Sequence, residues 1–219
     1  MNVKRIPQVS VSVLNMDFTR LGASIKDVEE AGAGSLHMDI MDGNFVNNIS
    51  FGHDVVKSVR GITDLPIHTH LMIRHPEKFI ERFFDAGSDT VTMHLETLSV
   101  SSLAFLEDRR VGLSLNPDVP LSLLEAHLGK VSRVLIMSVF AGFGGQKFIP
   151  QSLERISRLS RLRSSSGFDF IISVDGGIGP QSAADCRRAG ADEVVVGTYV
   201  SRADDPAAAI DKLNTALQI

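Results

Sequence analysis

The chain has 219 residues, 43% of them hydrophobic and 22% charged, a composition that excludes disorder and fits one compact folded unit. Its 26 acidic side chains against 22 basic ones give a net charge of −4, without the basic excess that nucleic-acid binding needs. No apolar run reaches the roughly 18 residues that span a bilayer, and a lone cysteine, Cys186, has no partner for an internal disulfide.

The opening residues 1–7 carry a basic pair with no apolar stretch behind it, so no export leader is expected and the cytoplasm is the expected compartment. Short aliphatic and β-branched runs then recur along the chain, at 9–14, 35–41, 66–73, 90–96, 111–116, 133–139, 168–175 and 193–199. Amphipathic segments lie between them, with 21–31 and 76–86 the clearest. Ala31-Gly32, Ala86-Gly87 and Ala189-Gly190 each close a helical stretch before a strand, which places glycine just beyond the helix end. Repeated βα units imply a parallel sheet, and eight of them in a chain of this length imply a closed (β/α)8 TIM barrel of the α/β class. An open doubly wound sheet uses about six strands or fewer. The expectation is a single barrel domain over residues 1–219.

Side chains alternate across a strand, so in Ser35-Leu36-His37-Met38-Asp39-Ile40-Met41 the face with Leu36, Met38 and Ile40 is wholly aliphatic and suits the helix ring. His37, Asp39 and Met41 then face the barrel interior. The same parity turns His68, His70 and Met72 inward, and Ser173 with Asp175. A buried imidazole or carboxylate costs several kcal/mol unless it is paired or ligates a metal. His37, Asp39, His70 and Asp175 form a nitrogen and oxygen donor set compatible with one divalent ion, Zn²⁺, Fe²⁺, Mn²⁺ or Co²⁺; a network of His–Asp hydrogen bonds satisfies the same parity. Glycines gather after the last three strands, in Gly142-Phe143-Gly144-Gly145, Gly176-Gly177 and Gly197-Thr198. Each pair alone reads as a turn. Together, at one end of the barrel, they point to a phosphate approached by backbone N–H groups.

Five segments are then recognisable. They are Ser10-Val11-Ser12-Val13-Leu14 with Asp17-Phe18, His37-Met38-Asp39-Ile40-Met41-Asp42-Gly43, His70-Leu71-Met72, Gly142-Phe143-Gly144-Gly145-Gln146-Lys147-Phe148, and Val174-Asp175-Gly176-Gly177-Ile178. Through them the chain resembles the ribulose-phosphate 3-epimerase family over nearly its whole length. The resemblance implies a barrel of the ribulose-phosphate-binding type, a divalent metal, and inversion at C3 of a ketose phosphate. It implies His37, Asp39, His70 and Asp175 as metal ligands, with Asp39 and Asp175 also the acid/base pair. It places a substrate contact on Ser12 and phosphate contacts on Gly144, Gly145, Gly177, Gly197 and Thr198, with Gly142, Phe143 and Gly176 in the same loops. His37, His70, Met41, Met72 and Met137 line the implied substrate site. His94 and Glu96 match the family's fourth strand in a supporting role. Relatives form homo-oligomers, so self-association is expected, with a small sugar phosphate as the other partner and neither nucleic acid nor membrane.

The chemistry explains the residue types. A proton α to a carbonyl leaves at neutral pH only if the developing enediolate charge is stabilised, and inversion requires two acid/base groups of opposite protonation state. Four departures from the family pattern bear on substrate choice: His68 stands for a usual Asp, Asn47 for Pro in Phe45-Val46-Asn47-Asn48, Phe140-Ala141 for Asn-Pro or Glu-Pro, and Ser173 for a frequent Glu. The expected activity is interconversion of D-ribulose 5-phosphate and D-xylulose 5-phosphate. The same chemistry on a hexulose 6-phosphate such as D-allulose 6-phosphate is the alternative, raised by His68 and Asn47. A barrel that binds sugar phosphates without turnover is a third reading, disfavoured by the retained pair of carboxylates.

Overall fold

In the computed structural model, which describes residues 7–99, 102–107 and 110–219, eight parallel strands close into a barrel in the order β1-β2-β3-β4-β5-β6-β7-β8. Residues 1–6, on which the reading of the chain's start mainly rests, lie outside the described part. The strands are β1 (Gln8–Ser12), β2 (Ser35–Met41), β3 (Ile67–Met72), β4 (Thr90–His94), β5 (Val111–Leu115), β6 (Arg133–Met137), β7 (Ile171–Asp175) and β8 (Glu193–Val196). Around them run α1 (Leu21–Glu30), α2 (His53–Arg60), α3 (Ile80–Asp85), α4 (Ser152–Ser166), α5 (Pro180–Ala189), α6 (Thr198–Ser201) and α7 (Pro206–Ala216). Among the described residues, no helix is long and apolar enough to cross a membrane.

All eight expected strands are present, but several stop short of the residues expected to end them. The run at 90–96 gives up its ladder at His94 and turns into a 3-10 helix, Leu95–Thr97, and the run at 193–199 ends at Val196 before Thr198 opens α6. Apolar composition continues past the hydrogen-bonded part because the chain peels away there into loops that are themselves half buried. The expected helix at 76–86 splits into a 3-10 turn, Pro76–Lys78, and α3, because Phe79 leaves helical angles at φ −124°. After β4 and β5 the connections, among the described residues, are 3-10 turns, Ser102–Glu107 and Leu121–His127, rather than α-helices. Gly32, Gly87 and Gly190 all take positive φ, as helix-ending glycines do.

Strand parity divides the molecule into two layers. The outward faces, such as Leu36, Met38 and Ile40 of β2 or Val134 and Ile136 of β6, merge with Ile25, Val56, Phe83, Ile156, Cys186 and Leu213 of the helices in one apolar cluster. Each fully buried aliphatic side chain there contributes about 1.5–3 kcal/mol. Cys186 is part of this packing, and burial, with Asp185 nearby, pushes its thiol up to about 12.

The inward faces are polar at both ends. At the base, where the strands begin, Glu193 receives Arg133, Ser173 Oγ (2.7 Å), Gln8 Nε2 (2.9 Å) and Ser35 Oγ (3.3 Å). Arg133 also donates through Nη2 to His68 Nε2 at 3.0 Å, so His68 carries its proton on Nδ1, facing Thr90 Oγ1 at 2.8 Å. Burial, with the neighbouring guanidinium, pushes His68 down to about 3 and keeps it neutral. Burial opposes ionisation of Glu193, but Arg133, His68 and the hydrogen bonds around it bring the carboxyl down to about 2.

Candidate active site

At the other end, where the strands finish, parity and register set the donors of three strands against one another. Asp39 of β2 lies beside His70 of β3, and Met41 beside Met72 one step nearer the mouth. His37 is paired with Ser12 of β1, and Asp175 of β7 with Met137 of β6. His37 Nε2 lies 3.3 Å from Asp39 Oδ1, 3.4 Å from His70 Nδ1 and 3.9 Å from Asp175 Oδ2. His70 Nδ1 lies 3.4 Å from Asp39 Oδ1 and 3.9 Å from Asp175 Oδ2. All four ligand atoms are within 4.8 Å of one another. Around an ion at about 2.1 Å from each donor, tetrahedral ligand atoms sit about 3.4 Å apart, so His37, Asp39 and His70 are already near that spacing and a small inward shift of Asp175 completes a set that could hold a divalent cation.

Charge points the same way. Two carboxylates share this space, and among the described residues neither is paired with a Lys or Arg. Burial and the neighbouring charge of Asp39 push Asp175 up to about 7, against the influence of His37. Asp39 goes the other way: burial opposes its ionisation, but the His37 charge and hydrogen bond, with the His70 imidazole alongside, hold it well below the usual carboxylate range. Ser12 Oγ donates to Asp39 Oδ2 at 2.7 Å, fixing the carboxylate from the side away from the imidazoles. His37 is raised, because Asp39 and Asp175 outweigh its burial, while burial brings His70 down to about 3.

Above the donors opens a cavity of about 240 Å³. Ser12, Asp39 and Asp175 line its floor, Met41, Met72 and Met137 its wall. The loops supply Gly142, Phe143, Gly144, Gly145, Gly176, Gly177, Gly197 and Thr198. His37 and His70 lie behind this surface, fully buried, and meet the donor cluster from below. Gly177 is sterically required, since a Cβ there, at φ 65°, would come 2.3 Å from the Phe148 backbone nitrogen, while one on Gly197 would come 2.3 Å from Asn15 Oδ1 and displace that side chain.

Of the four departures, only Phe140-Ala141 borders the cavity. His68 and Ser173 point inward but belong to the base, and Asn47 is exposed outside the lining, so of these positions near the site none of the three borders the cavity. Asn48 instead ties two loops together, donating from Nδ2 to Gly142 O at 2.8 Å. Sequence reasoning missed Asn15, wedged between Gly144 and Gly197, and Gln146, whose Nε2 staples Phe140 O (2.7 Å) to Phe143 O (2.8 Å). Asn15 stands just past a strand end and Gln146 just past a glycine run, which is the signal that marks them.

A parallel barrel with a cation-ready donor set and glycine-rich loops at the carboxyl ends of its strands is the architecture of a TIM-barrel enzyme. The model of the Ribulose-phosphate 3 epimerase family matches residues 8–201. The chloroplastic ribulose-5-phosphate-3-epimerase of Arabidopsis thaliana is 43% identical over 208 residues, covering 92% of this chain and 74% of that protein. The ribulose-phosphate 3-epimerase of Bacillus subtilis is 39% identical over 211 residues, covering 94% and 97%. The chain therefore belongs to the ribulose-phosphate 3-epimerase family, a family of isomerases. A solved structure of 3-hexulose-6-phosphate synthase from Salmonella typhimurium superimposes with a TM-score of 0.72 over 96% of this chain and 98% of that one, at 19% identity, a likeness of fold alone.

Proposed function

We propose that the protein is a metal-dependent ketose-phosphate 3-epimerase acting on D-ribulose 5-phosphate and D-xylulose 5-phosphate. The observation that carries this reading is a pair of carboxylates, buried Asp39 and half-buried Asp175, entering one cavity from strands separated by β8 and β1 and sharing a donor cluster with His37 and His70. His37, Asp39, His70 and Asp175 would hold a divalent cation, which when bound stabilises the negative charge that develops on the substrate oxygens. The chain's own groups do the proton chemistry. One carboxylate accepts the proton from C3, and the other, protonated at the start of the turnover, delivers a proton to the opposite face of the same carbon. Ser12 holds Asp39 in place for this transfer, and Met41, Met72 and Met137 offer a polarizable wall that keeps water from the planar carbon. The glycine-lined side of the cavity, from Gly142 to Gly145 with Gly177, Gly197 and Thr198, takes the phosphate through backbone N–H groups.

The pentulose is favoured over the hexulose because the substitutions that raised the larger sugar, His68 and Asn47, do not line the cavity. Incubation with D-ribulose 5-phosphate in D₂O with added Zn²⁺, Mn²⁺ or Co²⁺ tests the reading. Deuterium is expected at C3 together with D-xylulose 5-phosphate, and chelation is expected to stop both. Exchange with D-allulose 6-phosphate alone moves the assignment to the hexulose, and no exchange with either sugar overturns it.

A further inference from the structure

We propose that Glu96 is a positioning residue that, through His94, sets the tautomer of His70 so that a bare Nδ1 faces the four-donor cluster. The proposal rests on the metal reading for its purpose, but its geometry stands apart from it. His70 is fully buried and both its nitrogens are engaged: Nδ1 lies in the cluster, and Nε2 is 2.9 Å from Nε2 of His94, which is fully buried as well. The two rings lie 20° from parallel, and Phe45 covers His94 at 4.8 Å between centroids.

Two ring nitrogens at this distance share one proton, because a neutral imidazole has one donor and one acceptor. Two arrangements satisfy that. In the first, His94 holds its proton on Nδ1, which faces Glu96 Oε1 at 3.5 Å, and accepts at Nε2 from His70, leaving His70 Nδ1 bare. In the second, every proton moves to the other nitrogen. His94 then turns a lone pair toward a carboxylate oxygen, and His70 aims an N–H into the site where a cation would sit. Two acceptors facing each other in a buried setting repel, so Glu96 favours the first arrangement. At the other end Asp39 Oδ1, 3.4 Å from His70 Nδ1, has His37 Nε2 at 3.3 Å as its donor, and that same His37 nitrogen faces His70 Nδ1 at 3.4 Å, so the bare Nδ1 meets a donor as well.

Glu96 is itself held in place. Its Oε1 accepts from the Asn116 backbone N–H at 2.9 Å, and Arg155 clamps that turn with Nη1 on Pro117 O (3.0 Å) and Val119 O (2.8 Å) and Nη2 on Asn116 O (3.2 Å). His37 has no such support: its Nδ1 is buried and, among the described residues, has no hydrogen-bond partner. The relay therefore gives one of the two imidazole ligands a fixed tautomer, whereas the other has no outer partner among the described residues.

Long-range ¹H–¹⁵N spectra of histidine-labelled, metal-free protein read the tautomers directly, and competition with a chromophoric chelator reads Co²⁺ affinity. In the wild-type chain His94 is expected as the Nδ1–H form and His70 as the Nε2–H form. Glu96→Ala is expected to shift His94 toward Nε2–H and to weaken Co²⁺ binding about 10–100-fold, the usual cost of losing an outer partner of a ligating histidine. Glu96→Gln keeps a carbonyl acceptor and is expected to restore part of both. An Nε2–H His94 in the wild-type protein overturns the proposal, as does a Glu96→Ala variant with unchanged tautomers and affinity within about twofold of wild type. Should Glu96→Ala fail to fold, the wild-type spectrum and Glu96→Gln decide by the same criteria. If the wild-type chain shows the stated tautomers but binds no Co²⁺, the relay stands and the metal reading falls.

Discussion

The base of the barrel and its mouth both bury imidazoles and carboxylates on the inward faces of the same strands, yet they meet that burial differently. At the base, Glu193 has the Arg133 guanidinium, two serines and a glutamine around it, and His68 is neutral with both nitrogens engaged. The cluster brings its own cation. At the mouth, Asp39 and Asp175 share one space with two imidazoles and, among the described residues, no Lys or Arg, and the strain shows as one carboxyl driven up while the other is held down. One strand-parity rule thus produces a plug where charges are balanced and a socket where a positive charge is wanting. Function lies with the imbalance.

The sharpest way to break this comparison is to remove a mouth carboxylate. Asp39→Asn or Asp175→Asn is expected to lower the epimerisation rate about 10⁴-fold, at the upper end for a positioned acid or base because cation binding is lost as well. The fold is expected to survive, as read by circular dichroism. A steady-state assay with D-ribulose 5-phosphate checks the rate, and a variant within tenfold of wild type removes that residue from the proton transfer.

At the base the balance of effects reverses. Arg133→Met leaves Glu193 buried without its counter-ion and is expected to cost about 3–5 kcal/mol in urea unfolding. Combining it with Glu193→Leu is expected to recover much of that loss, since the pair can be replaced by apolar groups but not halved. A double variant no more stable than Arg133→Met contradicts the self-contained reading of the base.

A third comparison uses the cation itself. At a concentration about 100 times its dissociation constant, an added divalent ion is expected to stabilise the wild-type chain by about 2.7 kcal/mol, seen as a rise in Tm. Asp175→Asn is expected to lose most of this gain and yet, free of metal, to be at least as stable as the wild type, since the amide is neutral and removes both the buried charge and its repulsion from Asp39. An equal thermal shift in both proteins ends the assignment of Asp175 as a ligand.

The smallest effect is in acid. Glu193 sits at about 2 in the folded protein against an ordinary 4.5, so its stabilisation is complete above pH 4.5 and is lost as the pH falls toward 2. Denaturation midpoints measured from pH 6 to pH 3 are expected to fall more steeply below pH 4.5 for wild type than for Glu193→Gln. Parallel curves would show that Glu193 is no better held than a surface acid.

Much of this was legible in the chain because alternation is a local signal. In 35–41 the aliphatic residues occupy every second place, so the inward direction of His37 and Asp39 follows from the pleat alone, and the structure brings these two together with His70 and Asp175. The base was not legible. Arg133 and Glu193 each open a strand, where a charged residue ordinarily reads as a solvent-facing boundary, and they meet across a gap of 60 residues that no local pattern reports. Asn15 and Gln146 escaped for a similar reason, since their partners Gly144, Gly197 and Phe140 belong to loops whose approach is set only when the barrel closes. Strand ends were overextended wherever apolar composition ran on after the ladder had stopped, as at Leu95 and Thr198.

The tight turns that replace α-helices after β4 and β5 give the cylinder a thin flank. Elsewhere rods such as α4 or α7 lie across the sheet and shield it with whole rows of aliphatic groups, whereas here a few short windings carry that duty. An enclosure sheathed unevenly opens first where its cladding is slightest, so amide exchange in the described part of this flank is expected to outpace that beneath α4 and α7. His94 ends β4, which makes the weakest stretch of armour also the doorstep of the imidazole relay.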